Sequence, residues 1–108
     1  MDALGEFEQA LLLAVAHLGA AAYGVTIRQE IEARTGREVA VGAVYTSLRR
    51  LELKGYVKSA MADPTPERGG RAKRFFTLKP AGSAALRQAR ARHDQMWQGF
   101  DAQLRRVR

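Results

Sequence analysis

Four stretches of the chain repeat apolar residues every three or four positions, and between the third and the fourth the period falls to two. In the first, Leu4 to Gly19, residues Leu4, Phe7, Leu11, Val15 and Leu18 form one stripe. Leu12, Leu13 and Ala16 widen it, which predicts a helix covered on more than one side. Gly19 ends this helix, and Ala20 to Tyr23 makes a short connection. The second stretch, Gly24 to Thr35, has Ile27 and Ile31 as its inner face and Gly36 as its stop. A capping box of Thr26 with Gln29 would start that helix two residues late. In the third, Val41 to Gly55, residues Val41, Val44, Leu48 and Leu51 make the apolar stripe. Gly42, Ala43, Thr46, Arg49 and Arg50 fall on the other side, which is small and hydrogen-bonding at its start and cationic further along. Gly55 stands at a left-handed capping position, and Lys54 suits the negative end of the helix dipole.

After Gly55 the pattern alternates. Tyr56 to Ala62 reads as a strand with Val57, Ser59 and Met61 on one face. Asp63 to Gly70, with two prolines and two glycines, reads as a loop. Arg71 to Leu78 reads as a second strand, with Phe76 and Leu78 inward and Arg71, Lys73, Phe75 and Thr77 on the opposite face. The two form a β-hairpin whose tip carries Arg68, Gly69, Gly70 and Arg71, followed by Lys73 and Arg74. Glycines there let the backbone come close to another surface, and the arginines suit phosphates or a minor groove, although the same charges could serve a solvated loop. Pro80 then opens a last helix whose apolar positions are Leu86, Ala89, His93, Met96 or Trp97, Phe100, Leu104 and Val107. A single helix of about 25 residues, on the order of 37 Å, is predicted. It is longer than so small a domain can cover. The order predicts a mainly α protein with a small β-hairpin: a winged helix-turn-helix over residues 1–79 and a C-terminal dimerisation helix over 80–108 that packs with helix one.

Charge sharpens this picture. The net charge of +7 is unevenly spread: residues 1–40 carry three basic and six acidic side chains, whereas residues 41–79 carry nine basic and three acidic. The basic excess thus begins with the third helix, and it points to nucleic acid or an anionic membrane. No amphipathic basic helix lies outside the predicted core, which disfavours the membrane. The third helix, with little bulk at its start and arginines behind, fits a DNA groove; as an isolated pattern it also fits an ordinary solvated helix face. There is no cysteine, so disulfides and thiol chemistry are excluded and a cytoplasmic protein is expected. The apolar run from Ala10 to Leu18 contains His17 and is too short to span a bilayer. His17 and His93 lack partners at metal-ligand spacing, the serines lack a base, and the acidic residues are scattered. No enzyme, metal or cofactor is expected.

These residues also resemble a known family. Gly42-Ala43-Val44-Tyr45, Leu48, Arg50-Leu51-Glu52 and Gly55 are similar to the third-helix signature of PadR-type transcriptional regulators. Tyr23-Gly24 resembles that family's Tyr-Gly pair, and Gly69-Gly70-Arg71, Arg74-Phe75-Phe76-Thr77-Leu78 and Gly82 resemble its wing and the entry to its last helix. The likeness covers residues 4 to 86, and the short C-terminal helix resembles the smaller subfamily. Thr46 departs from a frequent proline, Phe75 and Phe76 from usual tyrosines, and Lys79 from a threonine that caps the last helix. The missing cap is worth about 1 kcal/mol and predicts a ragged start to that helix.

The resemblance implies that Gly42, Ala43, Thr46 and Arg49 face bases or phosphates in a major groove, with Arg49 suited to guanine. It places the Tyr45 hydroxyl near a phosphate, the alternative being a partly buried core tyrosine. Arg50 points to the side, toward a phosphate or an intramolecular salt bridge. His93, Met96, Trp97, Phe100 and Leu104 would form a dimer contact, either a plain core or the wall of a ligand cavity with Phe7 and Leu11 opposite. The expected function is a dimeric, sequence-specific DNA-binding regulator of the repressor type on a near-palindromic operator, released by a small aromatic or lipophilic effector. The alternative is a winged-helix module that binds an acidic protein partner.

Overall fold

The computed structural model describes residues 3–62 and 72–107. The order is α1 (Glu6–Leu18), a short 3-10 turn (Gly19–Ala21), α2 (Gly24–Thr35), α3 (Val41–Leu53), β1 (Val57–Ala62), β2 (Lys73–Leu78), α4 (Pro80–Trp97) and α5 (Phe100–Val107). The strands pair antiparallel with Val57 opposite Leu78 and Ala62 opposite Lys73. Tyr23 adds a bridge to Phe75, and the Phe76 N–H donates to the Ala22 carbonyl at 2.8 Å, so the stretch before α2 lines the open edge of the sheet. This is a winged helix-turn-helix followed by a C-terminal arm. The wing residues Arg68, Gly69, Gly70 and Arg71 lie outside the described residues.

The core follows the apolar stripes. Leu11, Leu12 and Val15 of α1 meet Ile27 and Ile31 of α2, Val44, Leu48 and Leu51 of α3, and Val57 and Phe76 of the sheet. Leu11 is completely buried in its own chain, so it belongs to this core and is withdrawn as a residue facing a second copy or a ligand. Leu13, two positions on, which only widened the predicted stripe, is the exposed large apolar residue of α1. Met61, on the same face of β1 as Val57 and Ser59, is exposed because the core ends at Phe76, two pairs before it.

Local chemistry sets the helix ends. α2 begins at Gly24 and not two residues later: the Thr26 hydroxyl accepts from the Tyr23 N–H at 3.0 Å and donates to the Ala21 carbonyl. Thr26 is thus the closing residue of a cap centred on Tyr23, and the box with Gln29 does not form. α3 ends in a paired turn in which Tyr56 N–H donates to Leu51 O and Gly55 N–H to Glu52 O, both at 3.0 Å. Gly55 takes φ +81°, the left-handed conformation that the motif requires. α4 starts cleanly despite lacking a side-chain cap, because Lys79 N–H donates to Tyr56 O at 2.9 Å and Ser83 N–H to Lys79 O at 3.0 Å.

The predicted single last helix is two helices. The chain leaves the helix at Gln98 and turns at Gly99, where φ is +79°. α4 buries only Gly82 and Ala89, and every side chain described from Arg90 onward is exposed, which draws the molecule out to 61 × 30 × 21 Å. Among the described residues of one chain nothing packs on that arm to straighten it, so a glycine can break it at small cost.

Glu8 ties α1 to α3. Its carboxylate accepts from the Gly5 N–H at 3.0 Å and from Lys54 Nζ at 3.2 Å. Burial pushes this carboxyl upward, but the Gly5 hydrogen bond and the Lys54 and Arg50 charges outweigh it, holding Glu8 below its ordinary value. Stability from this ionised carboxylate is therefore present above its unfolded pKa and disappears as pH falls through the folded one. Glu8→Gln keeps the Gly5 bond and removes the charge. It is expected to lower stability at pH 7 by about 0.5–1 kcal/mol. Urea unfolding at several pH values should show this gap closing in acid.

Candidate nucleic-acid interface

α3 separates into two faces. Val44, Leu48 and Leu51 are fully buried, whereas Gly42, Ala43, Tyr45, Thr46, Arg49 and Arg50 are exposed. Val41, the first residue of the predicted stripe, is also exposed at 41%. A helix anchored by three apolar side chains thus presents glycine, alanine and threonine at its N-terminal end and two arginines one turn on.

The turn before α3 is organised by Glu32. Its carboxylate accepts from the Val39 N–H at 3.0 Å and lies 3.6 Å from Arg28. The Thr35 hydroxyl donates to Ile31 O at 2.7 Å and accepts from Arg37 N–H at 3.2 Å, closing α2 just before the turn. These contacts fix the angle at which α3 leaves α2.

Tyr45 crosses from α3 to α2. Its ring lies so close over Gly24 that a Cβ there would be 2.2 Å from the hydroxyl oxygen. The residue is 44% exposed, so the hydroxyl end of the ring packs on the start of α2 while the rest stays partly open to solvent. Arg50 adds its charge to the surroundings of Glu8.

The root of the wing is held against α2. Lys73 Nζ sits 4.7 Å from the centre of the Tyr23 ring, a cation–π contact, and Tyr23 meets Phe75 edge-on at 5.3 Å. Lys73 is therefore partly engaged within the chain. A second link was missed in the sequence: Glu52 accepts from the Ser59 hydroxyl at 2.6 Å, and Ser59 accepts from Arg74 Nη1 at 2.9 Å. The one sequence signal for it is an acidic residue in the last turn of a helix, where the dipole disfavours it.

The residues expected at a dimer contact do not gather in one place. Trp97 donates from Nε1 to His93 Nε2 at 2.8 Å and meets Phe100 edge-on at 5.2 Å, with Met96 beside them. Leu104 is exposed on α5. Phe7 is half-buried on α1 against the core and does not line this aromatic cluster. A larger groove of about 440 Å³ runs between α1 and α4, lined by Leu13, Ala16, Leu78, Leu86, Arg90 and His93. Only His93 belongs to both the aromatic cluster and this groove.

Among the described residues no three His, Asp or Glu side chains come together to hold a metal ion, and no helix is long and apolar enough to cross a membrane. No curated protein matches the chain significantly. Solved structures do. A transcriptional regulator from Clostridium thermocellum superposes with a TM-score of 0.71 at 18% identity, covering 88% of this chain and 86% of its own. A PadR family regulator from Eggerthella lenta gives 0.67 at 22% identity, covering 92% and 86%. Bacillus subtilis PadR, solved in complex with operator DNA, gives 0.62 at 18% identity, covering 76% of this chain and 46% of its own. At these identities the likeness establishes the fold. The model of the transcriptional regulator PadR-like family, however, matches residues 12–88, from the buried half of α1 through α3 and the hairpin into α4. With the winged architecture and that match together, the chain belongs to the PadR-like family of transcriptional regulators, which are not enzymes.

Proposed function

We propose that this regulator binds double-stranded DNA sequence-specifically as a homodimer and acts as a repressor. The observation that carries the reading is the exposed face of α3, where Gly42, Ala43 and Thr46 leave room for base edges and Arg49 and Arg50 supply charge. The fold shared with Bacillus subtilis PadR, whose structure contains operator DNA, supports it. Two such helices in a dimer, about 34–36 Å apart, would read a near-palindromic operator. The wing, with Arg68, Gly69, Gly70, Arg71 and Lys73, would grip the flanking backbone. The C-terminal arm is the natural dimer element, because Met96, Trp97, Phe100 and Leu104 stand exposed on one chain. A small aromatic or lipophilic effector bound among His93, Trp97 and Phe100 would release DNA if it favours the geometry in which the two heads cannot both dock.

The test is the salt dependence of binding to duplex DNA. With about four cations per subunit on phosphates, a dimer should give a log–log slope near −7, and a monomer about half of that. Arg49→Ala is expected to reduce operator discrimination about tenfold while changing nonspecific affinity much less. A slope near zero, or no binding at low salt, would overturn the reading.

A further inference from the structure

Glu52 runs against the electrostatics of its own helix. It lies in the last turn of α3, where the carbonyl end disfavours a carboxylate, and among the described residues no Lys or Arg pairs with it directly. Its partner is the Ser59 hydroxyl of β1, which in turn accepts from the Arg74 guanidinium of β2. A hydroxyl between a carboxylate and a guanidinium is polarised from both ends, which shortens and orients the chain. Three elements are joined by two hydrogen bonds of 2.6 and 2.9 Å.

The placement of Arg74 gives the chain its meaning. In the strand register Arg74 stands opposite Met61, and Ser59 opposite Phe76, so both belong to the sheet face that carries buried Val57 and Phe76. At Arg74 that face has passed the end of the core, and its side chain is exposed. It uses one N–H donor on Ser59 and pairs with no carboxylate among the described residues. Along α3, Glu52 is three positions beyond Arg49 and seven beyond Tyr45, on the same side of the helix. The chain therefore holds Arg74 at the edge of α3 that carries Arg49 and Tyr45, with no carboxylate on its remaining donors among the described residues.

We propose that Arg74 contacts a backbone phosphodiester of the bound duplex, and that Ser59, polarised by Glu52, is the residue that positions it. The proposal rests on the DNA-binding reading above. A free arginine loses rotamer freedom when it grips a phosphate. One held in advance by Ser59 loses less, which favours binding without adding charge.

The experiment is fluorescence anisotropy of a labelled mixed-sequence duplex, titrated with the full chain over a range of KCl, with thermal unfolding followed in parallel. Arg74→Ala is expected to reduce the salt slope by about 1.8 per dimer, one phosphate per subunit. Ser59→Ala keeps the charge and should leave the slope near that of wild type while weakening binding roughly 3–10-fold, since only pre-ordering is lost. Ser59→Thr, which retains the hydroxyl, should restore it. Arg74→Gln serves as a second variant should the alanine protein not fold. The proposal is overturned if the Arg74 variants keep the wild-type slope, or if Ser59→Ala binds as tightly as wild type, even where the melting temperature falls. If wild type itself binds no duplex at low salt, the DNA-binding reading fails first and takes this proposal with it.

Discussion

Gly82→Ala is expected to lower stability by about 2–3 kcal/mol, a loss that overpacking against fixed backbone can reach. That corresponds to melting roughly 10–20 °C earlier than wild type. A Cβ at this position would stand 2.3 Å from the Tyr56 carbonyl oxygen and 2.8 Å from Leu78 Cδ1. Leu78 could turn aside, but Tyr56 O cannot. The preceding peptide is held by the bond from Tyr56 N–H to Leu51 O, and the oxygen itself accepts from Lys79 N–H. The first turn of α4 must therefore lift off, and with it the contact through which the arm is seated on the winged domain. The same substitution at Gly42 supplies the control. Nothing lies within 4 Å of a Cβ there, so Gly42→Ala should gain up to about 1 kcal/mol from helix propensity alone. Circular dichroism melts of the two variants should move in opposite directions; a Gly82→Ala protein as stable as wild type would mean that α4 does not seat on Tyr56.

The second large effect is a coupling. Gly24→Ala should cost about 2 kcal/mol, because its Cβ would fall 2.2–2.3 Å from Oη and Cζ of Tyr45 and the ring would have to swing into solvent. In a Tyr45→Ala background the obstacle is gone. There Gly24→Ala should be neutral or slightly stabilising, since alanine suits a helix better than glycine. The sign of one substitution thus depends on a residue 21 positions away, and the double-mutant cycle should return an interaction of about 2 kcal/mol. Additive effects in chemical unfolding would show that the ring does not pack on α2. The contact matters beyond stability: with Glu32, at the other end of α2, Tyr45 helps to fix α3 relative to α2. A loosened Tyr45 would let the exposed face of α3 rock.

Particular residues show how far the chain could be read before its coordinates. The buried positions Val44, Leu48 and Leu51 recur at helical spacing, and the cap at Gly55 is a three-residue affair, so both were legible. The exposed side of α3 was legible for the same reason, as the complement of a stripe. The break at Gly99 was not. A glycine within an amphipathic pattern is tolerated in many helices. Met96, Trp97, Phe100 and Leu104 keep their spacing whether the helix is straight or bent. What decides is whether anything packs on the arm to hold it straight, and within one chain nothing described does. The different exposure of Leu11 and Leu13 was hidden for a related reason. Both lie on a broadly apolar helix, and which one faces the core depends on where α2 and α4 come to rest.

Sequence by itself determined the order of elements, the buried stripes, the basic half of the molecule and a family signature, because each is a property of residues a few positions apart or of a run of them. Tertiary structure alone decided that Tyr45 leans on Gly24, that Glu52 reaches Arg74 through Ser59, that Gly82 must be bare beneath Tyr56, and that the arm bends after Trp97. Those are contacts between distant parts of the chain, or the absence of one, and they exist only once folding has chosen which surfaces meet.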